Sequence, residues 1–369
     1  MLNPHLIAST RPVAKKENII IAENCRITVL TDCLFRIEQS EAGGQFVDLA
    51  SKAVWFRDHD AVKFTQAREG DILTIKTQKA TLIIDLKDIK KSKACADGKK
   101  PQALDNDGNL YGTIRTLDVF GKEFFLDKTV TVFDKNHIKL ENGVVSKTGV
   151  AVYDDSNTLL LNSNGGFSQR DEGYKDLYVF AYGLDYFGAI KGMYSICGAP
   201  PILPRWALGN WWSRYYKYTE REYLNLMDNF ADEEIPLSVA VLDMDWHYVN
   251  VEEEFGYPKE DYKGAWIPGW TGYTWNKKLF PDHKKLLTEL KNRDLRISLN
   301  LHPADGIRWF EESYESIAKA MGIDPKSKKA VEFNIADADF VNNYFDKVHH
   351  PLEDEGVDFW WVDWQQGNT

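Results

Sequence analysis

The sequence predicts an all-β sandwich followed by an α/β region with four parallel strands. Many short strand-like segments separated by polar turns indicate the sandwich. Four alternations of a strand with a helix indicate parallel βαβ units. The composition changes at the same place, because only Trp55 precedes position 206, whereas the rest of the 12 tryptophans follow it. Periodicity alone leaves the α/β region open between an open sheet and the first half of a (β/α)8 barrel.

The predicted sandwich occupies residues 1–190. Its strand candidates alternate or cluster apolar residues, and turn pairs such as Gly-Gly at 43–44 and Asn-Gly at 142–143 separate them. The clearest candidates are residues 25–29, 80–86, 129–132 and 137–140. Glycines and prolines are dense in residues 191–205, which predicts a junction between two domains. The second domain then covers residues 206–369.

The overall composition is that of a globular protein without a nucleic-acid partner. A net charge of −11 opposes binding to phosphate backbones. No apolar run is long enough to span a bilayer, and residues 1–16 lack the apolar core of a secretory signal. The cysteines, Cys25, Cys33, Cys95 and Cys197, have no metal-ligand spacing and are typical of small buried side chains in a reducing compartment, with a Cys25–Cys33 disulfide as a minor alternative. We therefore expect a cytoplasmic protein that binds neither nucleic acid nor membrane.

The four predicted strands of the α/β region are short and apolar. They cover residues 206–213, 237–243, 295–301 and 359–363. Such nearly continuous apolar runs suit strands of a parallel sheet that is buried on both faces. The helix after the first strand begins at Thr219 and Glu222, a candidate capping box. Asp337 is a candidate cap for the helix that precedes the last strand.

Polar and aromatic side chains follow these strands at the points where each strand ends. Asp243 ends the second strand, His302 follows the third, and Asp363 ends the fourth. Trp361 and Trp364 flank Asp363. Because the carboxyl ends of parallel strands meet at one edge of a sheet, we expect these groups to lie close together. Carboxylates accept hydrogen bonds from sugar hydroxyls and flat rings cover sugar C–H faces, so this pattern points to a carbohydrate site.

Each of these groups also has a structural interpretation. His302 is equally compatible with a ligand contact and with a structural hydrogen bond. A carboxylate at the tip of a buried strand is costly for stability alone, so Asp363 as a satisfied core residue is the less favoured alternative. A metal site from Asp243, Asp245 and His302 is a weak alternative because it lacks a ligand set of defined geometry. No glycine-rich phosphate loop follows a strand. The sequence therefore predicts neither a cofactor nor a metal.

Several motifs in a consistent order resemble glycoside hydrolase family 31. They are Pro-Arg-Trp-Ala-Leu-Gly at 204–209, Leu-Asp-Met-Asp-Trp at 242–246, Tyr-Thr-Trp-Asn at 273–276, Phe-Pro at 280–281 and Trp-Val-Asp at 361–363. Asn-Leu-Tyr-Gly-Thr at 109–113 and Asp-Asp-Ser at 154–156 resemble the β-sandwich domain that precedes the barrel in that family. The resemblance implies that residues 206–369 are the first half of a (β/α)8 TIM barrel, truncated after the fourth strand. It also implies that the chain is an N-terminal fragment.

The resemblance implies a reaction and a set of residue roles. The family cleaves α-glycosides from the non-reducing end with retention of configuration, so an α-linked oligosaccharide or glycoside is the expected substrate. Asp363 matches the nucleophile that forms a covalent glycosyl-enzyme. The expected substrate-binding residues are Asp243, Met244, Trp361, Trp364, His302 and, from a loop of the sandwich domain, Asp155.

The sequence departs from the family pattern directly after the nucleophile. Trp364, Gln365 and Gln366 replace the usual Met-Asn-Glu and resemble a branch that includes α-N-acetylgalactosaminidases. The family's acid/base carboxylate lies on a later strand, so we expect this fragment alone to be nearly inactive. Specificity for an α-glucoside and for an α-N-acetylgalactosaminide both stay open. Transglycosylation at the same site and a non-catalytic carbohydrate-binding role are the alternatives.

Overall fold

The structure, a computed structural model, describes the chain in six segments. These segments are residues 1–40, 45–104, 116–118, 137–139, 143–256 and 269–363. The chain forms two compact units. The sandwich unit is Ala8–Pro200, and the barrel unit is Met1–Ile7 together with Pro201–Thr369.

The described part of the sandwich unit consists mainly of antiparallel strands. In chain order its elements are β1 (Ile19–Ala22), β2 (Cys25–Val29), β3 (Leu34–Gln39), β4 (Thr65–Glu69), β5 (Ile72–Lys76), β6 (Ala80–Asp85), β7 (Lys93–Ala96), β8 (Gln102–Ala103), β9 (Thr116–Asp118), β10 (His137–Lys139), β11 (Ala151–Asp154), β12 (Leu160–Leu161), β13 (Phe167–Ser168), β14 (Lys175–Phe180) and α1 (Tyr186–Cys197). One sheet has the order β1-β2-β3-β14-β11, and another has the order β4-β5-β6-β7-β8. β9 pairs with β10, and β12 pairs with β13.

The two five-stranded sheets share one hydrophobic core. Successive side chains of a strand point to opposite faces of the sheet, so Leu82 and Ile84 of β6 are buried while their neighbours are partly exposed. Both side chains join Ile27 of β2 and Ile37 of β3 in that core. This sheet-rich N-terminal region agrees with the predicted sandwich. The strand predicted at 129–132 lies outside the described residues.

Buried ion pairs link the strands of the first sheet between its apolar positions. Arg36 of β3 binds Asp176 of β14 through two hydrogen bonds, Nε–Oδ1 and Nη2–Oδ2, each 2.7 Å long. Arg170 Nη2 lies 2.9 Å from Asp176 Oδ2 and 2.8 Å from Asp155 Oδ2. All four side chains are almost fully buried. Removing one charge from such a network leaves its partner buried and unpaired, which is strongly destabilising.

The described elements of the barrel unit alternate between strands and helices. They are β15 (Trp211–Trp212), α2 (Glu220–Asp232), β16 (Val239–Leu242), α3 (Val251–Phe255), α4 (His283–Lys291), β17 (Arg296–Leu301), α5 (Tyr314–Ala320), α6 (Ala338–Tyr344), α7 (His350–Glu355) and β18 (Phe359–Val362). The strands form one parallel sheet in the order β15-β16-β17-β18. This is the sheet that the alternation in the sequence predicts.

Helix α2 forms for the reasons that the sequence indicates. Thr219 and Glu222 make the predicted capping box, because the side chain of each accepts a hydrogen bond from the other's backbone N–H. The buried side chains of α2, Tyr223 and Met227, join the core that contains Leu242 of β16. One face of the parallel sheet is therefore covered by helices.

The first predicted strand of the barrel unit is shorter in the structure. Residues 206–213 were expected to be extended, but Arg205–Leu208 forms a 3-10 helix and only Trp211–Trp212 pair with β16.

The last predicted helix begins where the sequence indicates, because Asp337 accepts hydrogen bonds from the N–H groups of Asp339 and Phe340.

The boundary between the two units lies after Pro200, inside the predicted junction at 191–205. The first part of that range is the end of helix α1 and not a linker. The N-terminal segment belongs to the barrel unit, which no sequence pattern indicated. Asn342 of α6 holds it by accepting a 2.7 Å hydrogen bond from Asn3 N and donating a 2.9 Å hydrogen bond to Met1 O.

The described residues contain no helix that is long and apolar enough to cross a membrane. The four cysteines are free, so the alternative of a disulfide between Cys25 and Cys33 is wrong.

We predict that Asp176→Ala lowers the free energy of unfolding of the sandwich unit by about 3–5 kcal/mol, because Arg36 and Arg170 each lose a buried partner. Denaturant unfolding followed by circular dichroism measures this change. Asp60→Ala is the matched control, since the Asp60–Lys15 pair lies at the surface and its loss should not be measurable. Equal effects of the two substitutions would contradict the prediction.

Candidate active site

Three polar side chains meet at the carboxyl ends of adjacent barrel strands. Asp243 follows β16, His302 follows β17 and Asp363 follows β18. The hydrogen-bond ladder continues to the last of these residues, because Asp363 N donates to Leu301 O at 2.9 Å. The expected grouping of Asp243, His302 and Asp363 at one edge of the sheet is therefore present.

The Asp363 carboxylate lies among polar neighbours and is open to solvent. Its Oδ2 accepts a 3.3 Å hydrogen bond from Asn300 Nδ2. His302 Nε2 lies 3.7 Å from the same oxygen, which is too long for a hydrogen bond. The side chain of Asp363 is 37% exposed, so a ligand can reach it. An exposed carboxylate at this edge of a parallel sheet is suited to contact a substrate.

The loop that precedes α4 contacts both the backbone and the ring of His302. The hydroxyl of Thr271 donates to His302 O, and the ring of Trp270 lies edge-on to the imidazole at 5.1 Å. Burial lowers the pKa of His302, against the opposing effects of the Asp363 and Asp243 carboxylates. A neutral imidazole is therefore favoured at neutral pH.

Asp243 is tied to the backbone that follows it. Its Oδ1 accepts a 2.7 Å hydrogen bond from Met244 N and caps the 3-10 helix Met244–Trp246. Burial raises the pKa of Asp243, and the negative charge of Asp363 adds to this increase. Met244 is 4% exposed, so little of its side chain is open to a sugar. The predicted sugar contacts of both residues stay predictions.

Aromatic side chains continue the site along the inner face of the sheet, the face that Asp363 shares. Trp361 lies two residues before Asp363 and so points to the same face. It is 39% exposed, and its ring is edge-on to Trp211 at 6.4 Å. Trp212 points the other way and packs on Phe230 of α2 at 5.0 Å. The expected contact of Trp361 with a sugar stays a prediction.

The surroundings of Asp155 do not agree with its predicted role as a substrate-binding residue. Its side chain is fully buried in the sandwich unit, and its Oδ2 is bound to Arg170. A carboxylate with this much burial and a structural partner does not fit the predicted role of a sugar contact at a rim.

Trp364, Gln365 and Gln366 lie outside the described residues. Within the described segments, no three acidic, histidine or cysteine side chains are grouped so that they could hold a metal ion.

Two residues of the site region were not assigned from the sequence. Asn300 contacts Asp363, and the alternation of Ser298, Asn300 and His302 with apolar residues along β17 was the available signal. Glu311 accepts hydrogen bonds from Tyr273 N at 3.1 Å and Thr274 Oγ1 at 2.6 Å. Glu311 thereby anchors the loop that carries Trp270 and Thr271. No sequence pattern marks it, because a single glutamate in a polar stretch is usually exposed.

Residues 200–368 match the family described as "Glycosyl hydrolases family 31 TIM-barrel domain". Alpha-glucosidase 2 of Bacillus thermoamyloliquefaciens is 31% identical over 122 residues, which are 33% of this chain and 13% of that protein. An alpha-xylosidase of Saccharolobus solfataricus is 27% identical over 136 residues, which are 37% of this chain and 16% of that protein. The matched segments are thus a small part of these curated relatives.

Solved structures show the same fold over most of the chain. A GH31 alpha-xylosidase from a soil metagenome, complexed with xylose, has a TM-score of 0.55 at 13% identity and covers 94% of this chain and 57% of its own. A Flavobacterium johnsoniae GH31 dextranase mutant, complexed with isomaltotriose, has a TM-score of 0.54 at 16% identity and covers 94% of this chain and 48% of its own. The chain therefore spans about half the length of these proteins. The predicted TIM-barrel class is confirmed, and the truncation after the fourth strand stays a prediction.

We predict that Glu311→Gln stabilises the protein relative to wild type as the pH rises from about 5 to about 8. Burial raises the pKa of Glu311 from 4.5 to about 7, so within this window the folded state keeps a proton that the unfolded chain has lost. Wild-type stability therefore falls as the pH rises, by at most about 1.4 kcal/mol per pH unit from this group. Glutamine keeps an acceptor oxygen for both donors but does not titrate.

Denaturant unfolding of both proteins at several pH values measures this difference. Glu332→Gln, at an exposed position, is the control and should retain the wild-type pH dependence. A difference between Glu311→Gln and wild type that is constant with pH would contradict the prediction.

Proposed function

We propose that this chain, which belongs to glycoside hydrolase family 31 through residues 200–368, carries the nucleophile of a retaining exo-α-glycosidase. The observation that carries this proposal is the position of Asp363. It is a solvent-accessible carboxylate at the carboxyl end of β18, beside Asn300 and His302. Catalytic residues of TIM barrels lie at this end of the strands.

In the proposed reaction Asp363 attacks the anomeric carbon and forms a covalent glycosyl-enzyme, which water then hydrolyses. Asp243 accepts hydrogen bonds from sugar hydroxyls, and the exposed face of Trp361 covers the C–H face of the ring. A second carboxylate must protonate the leaving group. The family resemblance assigns that role to a later strand, so the experiments below use the intact protein.

The proposed substrate class is an α-linked glycoside with an accessible non-reducing end. Curated relatives are an alpha-glucosidase and alpha-xylosidases, and similar solved structures include an alpha-xylosidase with xylose and a dextranase with isomaltotriose. The Trp-Gln-Gln sequence after Asp363 resembles the α-N-acetylgalactosaminidase branch. An N-acetyl group needs more room and an amide partner, for which Gln365 and Gln366 are the candidates. We therefore retain an α-glucoside and an α-N-acetylgalactosaminide as the two substrates to compare.

We predict that a 5-fluoro α-glycosyl fluoride labels Asp363 of the intact protein. Fluorine at C5 slows breakdown of the covalent intermediate, so a nucleophilic carboxylate accumulates the sugar adduct. Proteolysis and mass spectrometry locate the adduct. Asp363→Ala should lose labelling and turnover, whereas Asp228→Asn should keep both, because Asp228 lies on the outer surface of α2 in a salt bridge to Arg293.

Intact sugar binding with no adduct on Asp363 would contradict the proposed mechanism. It would favour a non-catalytic carbohydrate-binding protein.

We also predict that the intact protein discriminates strongly between p-nitrophenyl α-glucoside and p-nitrophenyl α-N-acetylgalactosaminide. A pocket that hydrogen-bonds the acetamido group leaves buried polar groups unpaired when that group is missing, which reduces kcat/KM for the glucoside by about 10⁴-fold or more. Rejection of the N-acetyl sugar would exclude the second substrate. Product analysis at high sugar concentration, in the same assay, detects transglycosylation.

A further inference from the structure

The inner face of β17 is polar where a barrel strand is usually apolar. Ile297, Leu299 and Leu301 of β17 point to buried apolar surroundings, so Ser298 and Asn300 point to the opposite face. Both polar side chains are buried. Burying a polar side chain is unfavourable unless it is hydrogen-bonded. Asn300 has such a partner, because its Nδ2 donates to Asp363 Oδ2 at 3.3 Å.

The position of Asn300 is fixed independently of its side chain. Asn300 O accepts a 2.8 Å hydrogen bond from the indole N–H of Trp246, which is fully buried. Asn300 also stands directly beside Trp361 in the pairing of β17 with β18. These two restraints place the amide within reach of the Asp363 carboxylate, which lies two residues after Trp361.

The chemistry of the pair determines how the amide is turned. A carboxylate accepts hydrogen bonds only, so the NH2 group of Asn300 must face Asp363 and its Oδ1 must face away. Asn300 Oδ1 is buried and has no hydrogen-bond partner within the described part of the chain. Within the described part of the chain, the Asn300 amide therefore lacks a hydrogen bond at Oδ1 but keeps the hydrogen bond from Nδ2 to Asp363.

We propose that Asn300 is a positioning residue that fixes the rotation of the Asp363 carboxylate through this hydrogen bond. The catalytic meaning of this role rests on the proposed function of Asp363 as a nucleophile. A carboxylate attacks efficiently only when one oxygen is aligned with the anomeric carbon, and small misplacements of reacting groups are costly in rate. Unlike lysine or arginine, a neutral amide can orient the carboxylate without adding a positive charge next to it.

A direct test compares the reactivity of Asp363 in the folded protein without requiring turnover. Carbodiimide-driven amidation of Asp363 is followed by peptide mass spectrometry in wild type, Asn300→Leu and Asn300→Asp. Losing the donor removes the hydrogen bond that restrains Asp363 Oδ2, so Asn300→Leu should react about threefold faster or more at a given pH. Asn300→Asp, which lacks the same donor, should also react faster than wild type. Among the described residues, the titratable groups His302 and Asp243 also face Asp363, and both are unchanged in every variant.

Ser298→Ala is the matched control. Ser298 lies on the same strand and the same face, is equally buried, and its hydroxyl has no hydrogen-bond partner among the described residues. Its substitution should leave the amidation rate of Asp363 at the wild-type value. Unchanged rates in both Asn300 variants, or the same change in Ser298→Ala, would overturn the proposal.

Labelling by the 5-fluoro α-glycosyl fluoride then tests whether Asn300 contributes to nucleophilic attack by Asp363. Asn300→Leu should lower the rate of adduct formation on Asp363 about tenfold or more, with inhibitor binding within about twofold of wild type. Asn300→Asp should recover labelling below about pH 5, because its protonated carboxyl can donate to Asp363 again. If the rate of adduct formation depends on pH in the same way in Asn300→Leu and Asn300→Asp, the role of Asn300 is only structural. That result would overturn the proposal.

Failure of the proposed function has a different signature from failure of this inference. If wild type carries no adduct on Asp363 while the amidation rates change as expected, Asn300 orients a carboxylate that is not the nucleophile. That result would reject the proposed function and with it the catalytic role of Asn300. An adduct on Asp363 with unchanged amidation and labelling rates in both Asn300 variants would reject the role of Asn300 alone.

Discussion

The register between β17 and β18 determines the contacts that surround Asp363. Ser298 pairs with Phe359 and Asn300 with Trp361, so the next positions, His302 and Asp363, also become neighbours. Because side chains alternate between the two faces, a slip of one residue would turn Asp363 and Trp361 towards the helices. The parallel ladder therefore places the Asp363 carboxylate, the Asn300 amide and the Trp361 ring on one face at the same time.

The two units place their acidic side chains in different surroundings. In the sandwich unit, Arg36, Arg170, Asp155 and Asp176 form a paired network that is closed to solvent. On the inner face of the barrel sheet, by contrast, Asp363 is 37% exposed and accepts a hydrogen bond from the neutral amide of Asn300. Paired charges stabilise a fold or specify it, whereas polar groups gathered beside an accessible carboxylate are suited to binding and chemistry. This difference separates Asp155, a buried partner of Arg170, from Asp363, which a ligand can reach.

Local signals in the sequence were sufficient for much of the fold. The apolar runs of β16, β17 and β18, the capping box of α2 and the aspartate cap of α6 depend on residues close together in the chain. The predicted strand at 206–213 was wrong in its first half, because a 3-10 turn replaces extended backbone there. Nothing local indicated that residues 1–7 pack with the barrel, since their contact with Asn342 spans almost the whole chain.

Periodicity and motifs that can be read along the chain were sufficient for the two fold classes, the family resemblance and the choice of Asp363, Asp243, His302 and Trp361. The neighbours of those residues, by contrast, depend on how the chain packs in three dimensions. Asp155 is paired with Arg170, Asn300 donates to Asp363, and Glu311 anchors the Trp270 loop. Each of these contacts joins residues that are not neighbours in the sequence. Such contacts follow from strand register and packing, which single-residue patterns do not specify.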